Sequence, residues 1–332
     1  MLNNKVLITG CAGLIGVNFT NYLLNKKYKV IGIDNLFGGY EDFLPNNDDF
    51  VFYNIDLTDT NKVKNVFEEN NIDIVFHFAA YAAEGLSPFI RKFNYENNTI
   101  ASINLINECI ERDIKLIFTS SMAVYGGQEP PFNENQKPSP VDPYGIAKYT
   151  VEQDIISANE QFRLKYNIVR PHNVLGLYQN IWDKYRNVIG IFIRKVLDGE
   201  PITIYGDGEQ KRAFSDIKFY LEPLEKMIYG FDNEIFNIGA DKFFTIKEVA
   251  NIVENVGRKY GYNPQKVYLE NRHEVKDAYC NHDKAKTFLD FEDNTDIEQL
   301  IDDMFKWAMS QPKREVKKIP YEVTKDIYSF WK

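Results

Sequence analysis

The sequence predicts an α/β fold, a doubly wound parallel sheet joined to a smaller, mostly C-terminal α/β unit. Three observations predict it. Short β-branched runs alternate with longer segments of helical spacing through the first half of the chain. A glycine-rich turn, Gly10-Cys-Ala-Gly13-Leu-Ile-Gly16, connects the first run to the first helical segment. Beyond Pro171 the alternation turns irregular, as a second packing unit requires.

Each element follows in order. Lys5–Thr9 reads as a strand and Leu14–Asn25 as a helix, with a second strand over 29–33. Further strands are expected at 50–55, 74–78, 115–120 and 167–170. Apolar runs of this kind, separated by helices, mark a parallel sheet covered on both faces. Helical spacing fills 61–70, 99–112 and 142–165. In the second half, 187–197, 245–259 and 296–309 read as helices and 201–205 as a short strand. Tyr205-Gly-Asp-Gly208 is turn chemistry. Residues from Lys313 onward are charged and aromatic and take no assigned role. The first unit is expected over 1–170 with 213–240, the second over 171–212 and 241–332.

With 39 basic against 48 acidic side chains, the net charge is −9. That balance argues against a dedicated nucleic-acid binder, whose phosphate contacts need a basic face. A small anionic ligand needs only a few well-placed cations and stays open. Cys11, Cys109 and Cys280 are too few and too scattered for a disulfide framework or a zinc site, so no metal is expected. They suit a reducing cytoplasm. The apolar stretch 74–83 contains His77 and is about half the length a membrane span requires. The chain enters its first strand without a signal-peptide pattern. A cytoplasmic protein is therefore expected.

The glycine turn carries the first functional signal. Gly10, Gly13 and Gly16 allow a tight turn, close approach of backbone to a pyrophosphate, and close helix–strand packing. The helix that follows presents free N–H groups and its positive dipole end to phosphates. Its strand–turn–helix context makes this a dinucleotide (Rossmann) fingerprint. Asp34 ends the second strand, where a carboxylate accepts both adenosine ribose hydroxyls and repels a 2′-phosphate. NAD is favoured over NADP. Asp56, at the end of the third strand, is placed to meet the adenine amino group.

A second constellation lies in Asp142-Pro-Tyr144-Gly-Ile-Ala-Lys148. Tyrosine and lysine at i and i+4 share a helix face. A free phenol, with a pKa near about 10, is too weak a base at neutral pH. A neighbouring ammonium and a positively charged nicotinamide ring favour the phenolate and make tyrosine a usable base. Upstream, Phe118-Thr-Ser-Ser121 ends a strand, where ligands of open α/β sheets bind. The Ser121 hydroxyl there can hold the same substrate oxygen that the phenolate deprotonates.

Taken together these motifs resemble the extended short-chain dehydrogenase/reductases that act on nucleotide sugars. The resemblance rests on the glycine turn, Asp34, His77-Phe-Ala-Ala80, Thr119–Gly126, Tyr144/Lys148 and Arg170-Pro-His-Asn173, in that order. It continues through Gly206-Asp-Gly-Glu-Gln-Lys-Arg212, Arg272-His-Glu-Val275 and Asp283-Lys-Ala285, to about residue 310. It implies Ser121, Tyr144 and Lys148 as the catalytic set, and NAD as cofactor. It implies cofactor contacts from Gly10, Gly13, Leu14, Ile15 and Gly16, then Asp34, Asn35, Asp56, Leu57, Phe78, Ala79, Ala80, Asn97, Tyr144 and Lys148. Asn173, Arg212 and Arg272 are implied to hold the diphosphate of a nucleotide sugar, with Ser121 and Glu84 at the sugar. Glu84 either faces the sugar hydroxyls or is simply solvated. His77 reads as a structural residue behind the nicotinamide strand. The family further implies a homodimer, paired through the helices at 99–112 and 142–165 as a four-helix bundle.

Related 4,6-dehydratases carry an Asp–Glu pair directly after the catalytic serine or threonine, and related decarboxylases a glutamate. Here Met122 and Ala123 stand there, and neither moves a proton. The pattern is most similar to UDP-galactose 4-epimerase-like enzymes, although Ala82 occupies a position where those often have lysine. The reaction expected is 4-epimerisation through a transient 4-keto sugar. The alternatives are a nucleotide-sugar dehydrogenase or ketoreductase using the same triad, and a non-catalytic dinucleotide-binding scaffold.

Overall fold

The computed structural model describes residues 5–272 and 274–331; residues 1–4, His273 of the 272–275 motif, and Lys332 lie outside them. Six strands build up through the first half: β1 (Lys5–Thr9), β2 (Lys29–Asp34), β3 (Phe50–Asn54), β4 (Ile74–His77), β5 (Lys115–Thr119) and β6 (Tyr166–Pro171). Shorter strands follow as β7 (Val174–Leu175), β8 (Ile202–Tyr205), β9 (Lys211–Ala213) and β10 (Ser215–Asp216). The last are β11 (Glu234–Ile238), β12 (Phe243–Thr245), β13 (Lys266–Leu269) and β14 (Asp277–Ala278).

Seven of these form one parallel sheet in the order β11-β6-β5-β4-β1-β2-β3. The order reverses between β1 and β4, and the crevice outside the carboxyl ends of the strands at such a switch is where ligands bind. Along β1 the side chains alternate between two cores. Val6 and Ile8 pack with Phe19, Phe76 and Phe236 on one face. Leu7 packs with Ile33, Val75, Leu116 and Ile168 on the other. Each such buried side chain contributes about 1.5–3 kcal/mol.

Helices cover both faces: α1 (Leu14–Asn25), α2 (Thr60–Glu69), α3 (Arg91–Tyr95), α4 (Ala101–Glu111) and α5 (Pro143–Phe162). α3 and α4 are joined through a π-turn, Glu96–Ile100. The helical signal therefore begins at Arg91 rather than at residue 99. The wider turn shifts the apolar phase and hides the first segment from a 3.6-residue period. α5 starts where Asp142 accepts from Gly145 N at 3.0 Å and Pro143 presets the first turn. It ends at Phe162, short of residue 165, because Arg163 takes a left-handed conformation with φ 64°. One buried pair locks this helix to the sheet. Arg170 of β6 forks onto Glu152 of α5 at 2.9 and 2.6 Å, and also donates to the Tyr125 hydroxyl at 2.8 Å.

The second half holds α6 (Val188–Leu197), α7 (Lys218–Tyr229), α8 (Ile246–Lys259), α9 (Asp283–Leu289) and α10 (Ile297–Met309). Asn187, Thr245 and Asp296 cap α6, α8 and α10, with a full Thr245–Glu248 capping box on α8. These three helices share a core of Phe192, Val249, Val253, Ile301 and Phe305. α7, β11 and α9 have no counterpart among the expected elements. α7 contains Pro223, and β11 and α9 are too short to show a period. Among the described residues no helix is long and apolar enough to cross a membrane.

Candidate active site

A cleft of about 1030 Å³ opens at the carboxyl ends of the sheet, and every site residue expected from the sequence lines it. At one end stands the glycine turn. Gly10 has φ +70°, and a Cβ there would meet Ala79 N at 2.7 Å. A Cβ on Gly16 would fall 2.1 Å from Gly10 O, so α1 can approach the turn only without one. Gly13 caps α1 with no side-chain hydrogen bond, which leaves the first N–H groups facing the cleft. Asp34 accepts from Ala12 N at 3.0 Å and Leu36 N at 2.8 Å, with lone pairs to spare. Asn35 donates to Asp56 at 2.8 Å. Burial pushes the Asp56 carboxyl up, but Thr58 and Asn35 donors outweigh it and hold it below the usual range. The cradle thus fits a dinucleotide: small residues beneath a diphosphate and two carboxylates beyond it. Leu57, Phe78, Ala79 and Ala80 complete its wall.

Asn97 lies in the π-turn, donates to Phe93 O at 2.9 Å and borders the cleft. Its neighbour Asn98, buried, exchanges hydrogen bonds with the Tyr81 backbone at 2.9 and 3.2 Å and so fixes the strand end that carries Phe78–Tyr81. His77 is buried between Thr9 at 2.7 Å and Ser102 at 2.8 Å, and burial drives its pKa down to about 3. It is neutral and structural.

The chemistry sits mid-cleft. Ser121 caps a short 3-10 turn, Met122–Tyr125, by accepting from Ala123 N at 3.1 Å. Tyr144 lies in the first turn of α5 and Lys148 one turn later. Burial pushes the Tyr144 phenol above its ordinary range; the Ser121 hydroxyl opposes this, and the charges of Glu84 and Asp142 add to it. Lys148 is 2% exposed and donates to Thr119 O at 2.7 Å; burial lowers its pKa to about 7. The sequence leads one to expect an ammonium lowering the phenol pKa. Here the charges acting on the phenol are instead those of Glu84 and Asp142, which raise its pKa, and Arg186, which lowers it.

Glu84 opens a 3-10 turn, Glu84–Phe89, is exposed and lines the cleft. Its carboxyl faces that of Asp142, and desolvation within the cleft and then that neighbouring charge raise it. Such a pair tends to share one proton. At the far end Arg272 lies 4.1 Å over the Tyr205 ring. Arg272 and Arg212 converge on Glu274 at 3.2 and 3.9 Å. Arg212 is held by Lys276 O at 2.7 Å, and Asn173 by Ala213 O at 3.0 Å.

Three residues the sequence reading missed also border the cleft. Arg186 lies 4.7 Å over the Tyr81 ring and 3.4 Å from Asp183. Glu274 is embedded in the 272–275 motif, which was the only signal for it. Trp331 comes from the unassigned last residues, where nothing in the spacing marked it.

The sequence profile of the NAD dependent epimerase/dehydratase family matches residues 6–239. This chain belongs to that family. It is similar to a UDP-glucuronate 4-epimerase of Thermodesulfobacterium geofontis, 29% identical over 91% of this chain and 95% of the relative. Among solved structures it is similar to the Thermotoga maritima UDP-glucose 4-epimerase with UDP-glucose. That match has TM-score 0.85 and 29% identity over 92% of this chain and 98% of the other. It is also similar to a UDP-N-acetylglucosamine 4-epimerase from Methanobrevibacter ruminantium in complex with UDP-N-acetylmuramic acid. There the TM-score is 0.84 and identity 31%, over 93% and 99% of the two chains. As a member of the family, the chain is an NAD-dependent enzyme.

Proposed function

We propose that this chain epimerises a nucleotide-diphosphate sugar at C4, with NAD held as the hydride acceptor and donor. One observation carries the reading. A single cleft joins the glycine cradle, the Ser121–Tyr144–Lys148 set and the Arg212–Arg272 pair, with Met122 and Ala123 where an eliminating acid would stand. When bound, NAD supplies the hydride acceptor and a positive ring charge. The glycine turn takes the cofactor diphosphate, Asp34 the ribose, and Asn35, Asp56 and Leu57 the adenine side. Ser121 orients the sugar oxygen that Tyr144 deprotonates. Lys148, fixed through Thr119 O, holds the ribose side of the cofactor and keeps a cation near the phenol once the site is filled. Arg212, Arg272 and Asn173 hold the sugar diphosphate through forked donors, displacing Glu274 from the arginines.

The test is incubation of the purified chain with UDP-, GDP-, CDP- and dTDP-sugars, followed by product chromatography and NADH absorbance. Epimer without net NADH is the result expected. Stoichiometric NADH would instead make the enzyme a dehydrogenase.

Changing Arg212 and Arg272 together to Ala weakens nucleotide-sugar binding by about 1.5–3 kcal/mol for each charged hydrogen bond lost, while NAD affinity stays. Titration calorimetry with each ligand reads both, and equal losses would argue against the diphosphate role. Glu84→Gln removes a negative charge that disfavours the phenolate. The acid limb of the kcat/KM profile then moves to lower pH, by up to about one unit. An unmoved limb would separate Glu84 from the base.

The reading extends to assembly and location. Ile100 and Ile146 expose 47% and 39% of their surface on the α4 side and on α5, which supports pairing of two subunits through these helices. A cytoplasmic location suits Cys11, Cys109 and Cys280, all buried free thiols.

A further inference from the structure

We propose that the segment 313–331 is a built part of the sugar end of the cleft. Its Trp331 is the wall that retains the sugar while its ring turns over between hydride removal and hydride return. The inference rests on the 4-epimerase reading.

The segment is fastened along its length and reaches the cleft at Tyr328 and Trp331. Lys313 Nζ lies 2.8 Å from Asp198, at the end of α6. Arg314 forks onto Asp42 at 2.8 and 2.6 Å, and its guanidinium lies 4.2 Å over the Tyr40 ring and 5.1 Å over Trp182. Further on, the Glu322 carboxylate accepts from Lys92 N and Phe93 N at 2.6 and 2.9 Å, at the open N-terminus of α3. Backbone N–H groups of Glu322 and Val323 donate to Phe89 O at 2.8 and 3.2 Å. The hydroxyl of Tyr321 donates to Trp331 O at 3.1 Å. Ile327 and Trp331 are buried with Leu86, Phe89 and Ile90, the turn that begins at Glu84.

This anchoring delivers two rings to the site. Tyr328 and Trp331 border the same cleft as Ser121 and Tyr144. Trp331 stands edge-on to Phe89 at 5.7 Å and to Tyr185 at 5.2 Å. A Cβ on Gly85 would sit 3.9 Å from its indole and 4.0 Å from Arg272 Nη1. The indole and Arg272 therefore both come close to Gly85, the residue after Glu84 in the chain, on the cleft that Ser121 and Tyr144 also line. Relatives are matched over 98–99% of their length while 92–93% of this chain is matched, so this chain carries residues without a counterpart there. The family resemblance itself ends at about residue 310, before this segment.

Epimerisation gives such a wall a task. Tyr144 takes the C4 hydroxyl proton and the C4 hydrogen leaves as hydride, so a C=O bond forms as the O–H and C–H bonds break. The keto sugar must then expose its other face without leaving. Directional hydrogen bonds would hold one face; an aromatic surface contacts either face and still closes the exit. If the keto sugar escapes, the two electrons stay on the cofactor as NADH and the proton on Tyr144.

The experiment compares wild type, Trp331→Ala and Trp331→Phe as full chains, on a nucleotide sugar that the wild type epimerises. It reads epimer formed, NADH absorbance, and keto sugar trapped with hydroxylamine. Trp331→Ala is expected to epimerise about tenfold more slowly, a barrier change of about 1.4 kcal/mol, and to accumulate NADH and trapped keto sugar in equal amounts. Trp331→Phe restores retention. Wild-type rate without NADH in Trp331→Ala overturns the inference alone, as does an equal rate loss in both variants with no NADH. A wild type that converts no nucleotide sugar overturns the epimerase reading and the inference with it. Should Trp331→Ala lose its bound NAD, Tyr328→Ala on the same cleft is read in the same way: leakage supports the inference, and its absence overturns it.

Discussion

Tyr144→Phe loses turnover by about 10²–10⁴-fold, the range expected when a positioned acid–base group is removed, and keeps its NAD. The phenol is buried in the first turn of α5, behind Ser121, and makes no part of the glycine cradle. Removing one oxygen leaves the ring packing intact, so the loss is chemical. Single-turnover kinetics with the active nucleotide sugar, beside the NAD content of the purified variant, separate the two quantities. Near wild-type turnover would remove Tyr144 as the base. Loss of NAD together with turnover would mean that the hydroxyl serves cofactor binding instead.

Glu152→Gln is the second large effect, and it acts on stability. Glu152 is 0% exposed and Arg170 2% exposed, with both guanidinium branches on the carboxylate. Removing the negative charge leaves a buried cation facing a neutral amide, whose NH2 cannot accept from it, and the Tyr125 hydroxyl. A broken pair of this kind costs about 3–5 kcal/mol, read as a lower melting temperature and denaturant midpoint. Replacing both partners with apolar residues, Glu152→Leu with Arg170→Met, recovers most of that loss, because no charge then lacks a partner. An unchanged midpoint in Glu152→Gln would show that water reaches the pair. Because α5 carries Tyr144 and Lys148, loosening it also lowers activity.

The parts of the fold that the sequence makes legible are those with a local cause. Leu14–Asn25 coincides with its expected bounds because a strand, a glycine turn and an apolar helix face meet there without interruption. α8 and α10 are legible for the same reason: Thr245 and Asp296 mark their starts. Where one local irregularity intervenes, the reading slips. The π-turn at Glu96–Ile100 hides α3, and a left-handed Arg163 stops α5 early. β11 is illegible for a different reason. Its five residues gain their meaning only from β6, a partner far back in the chain.

The site divides along the same line. Asp34, Tyr144 and Lys148 stand at fixed offsets from a strand end or helix start, and they are legible through the glycine turn and the Ser121 strand end that accompany them. Arg212 and Arg272 converge from separate segments and are legible only through the family pattern. Arg186 and Trp331 carry no local mark, since each acquires its position from packing, and Glu274 is marked only by its place in the 272–275 motif. Likewise, the direction of the Tyr144 pKa shift follows from burial and from Glu84, neither visible in the i, i+4 spacing.

The return of the chain to the sheet at Glu234–Ile238, alongside Tyr166–Pro171, has a consequence for anyone dividing this molecule. A fragment stopped after residue 170 would leave the outer N–H and C=O groups of that inner strand bare, a sticky template for other chains. The seven-stranded sheet is therefore completed by a strand that follows β7–β10 and α6 in sequence. The sheet and the segments outside it are interleaved, not modular. Grafting a new sugar preference onto this protein means changing side chains and the final strap in place, since the polypeptide offers no single seam at which one half can be exchanged.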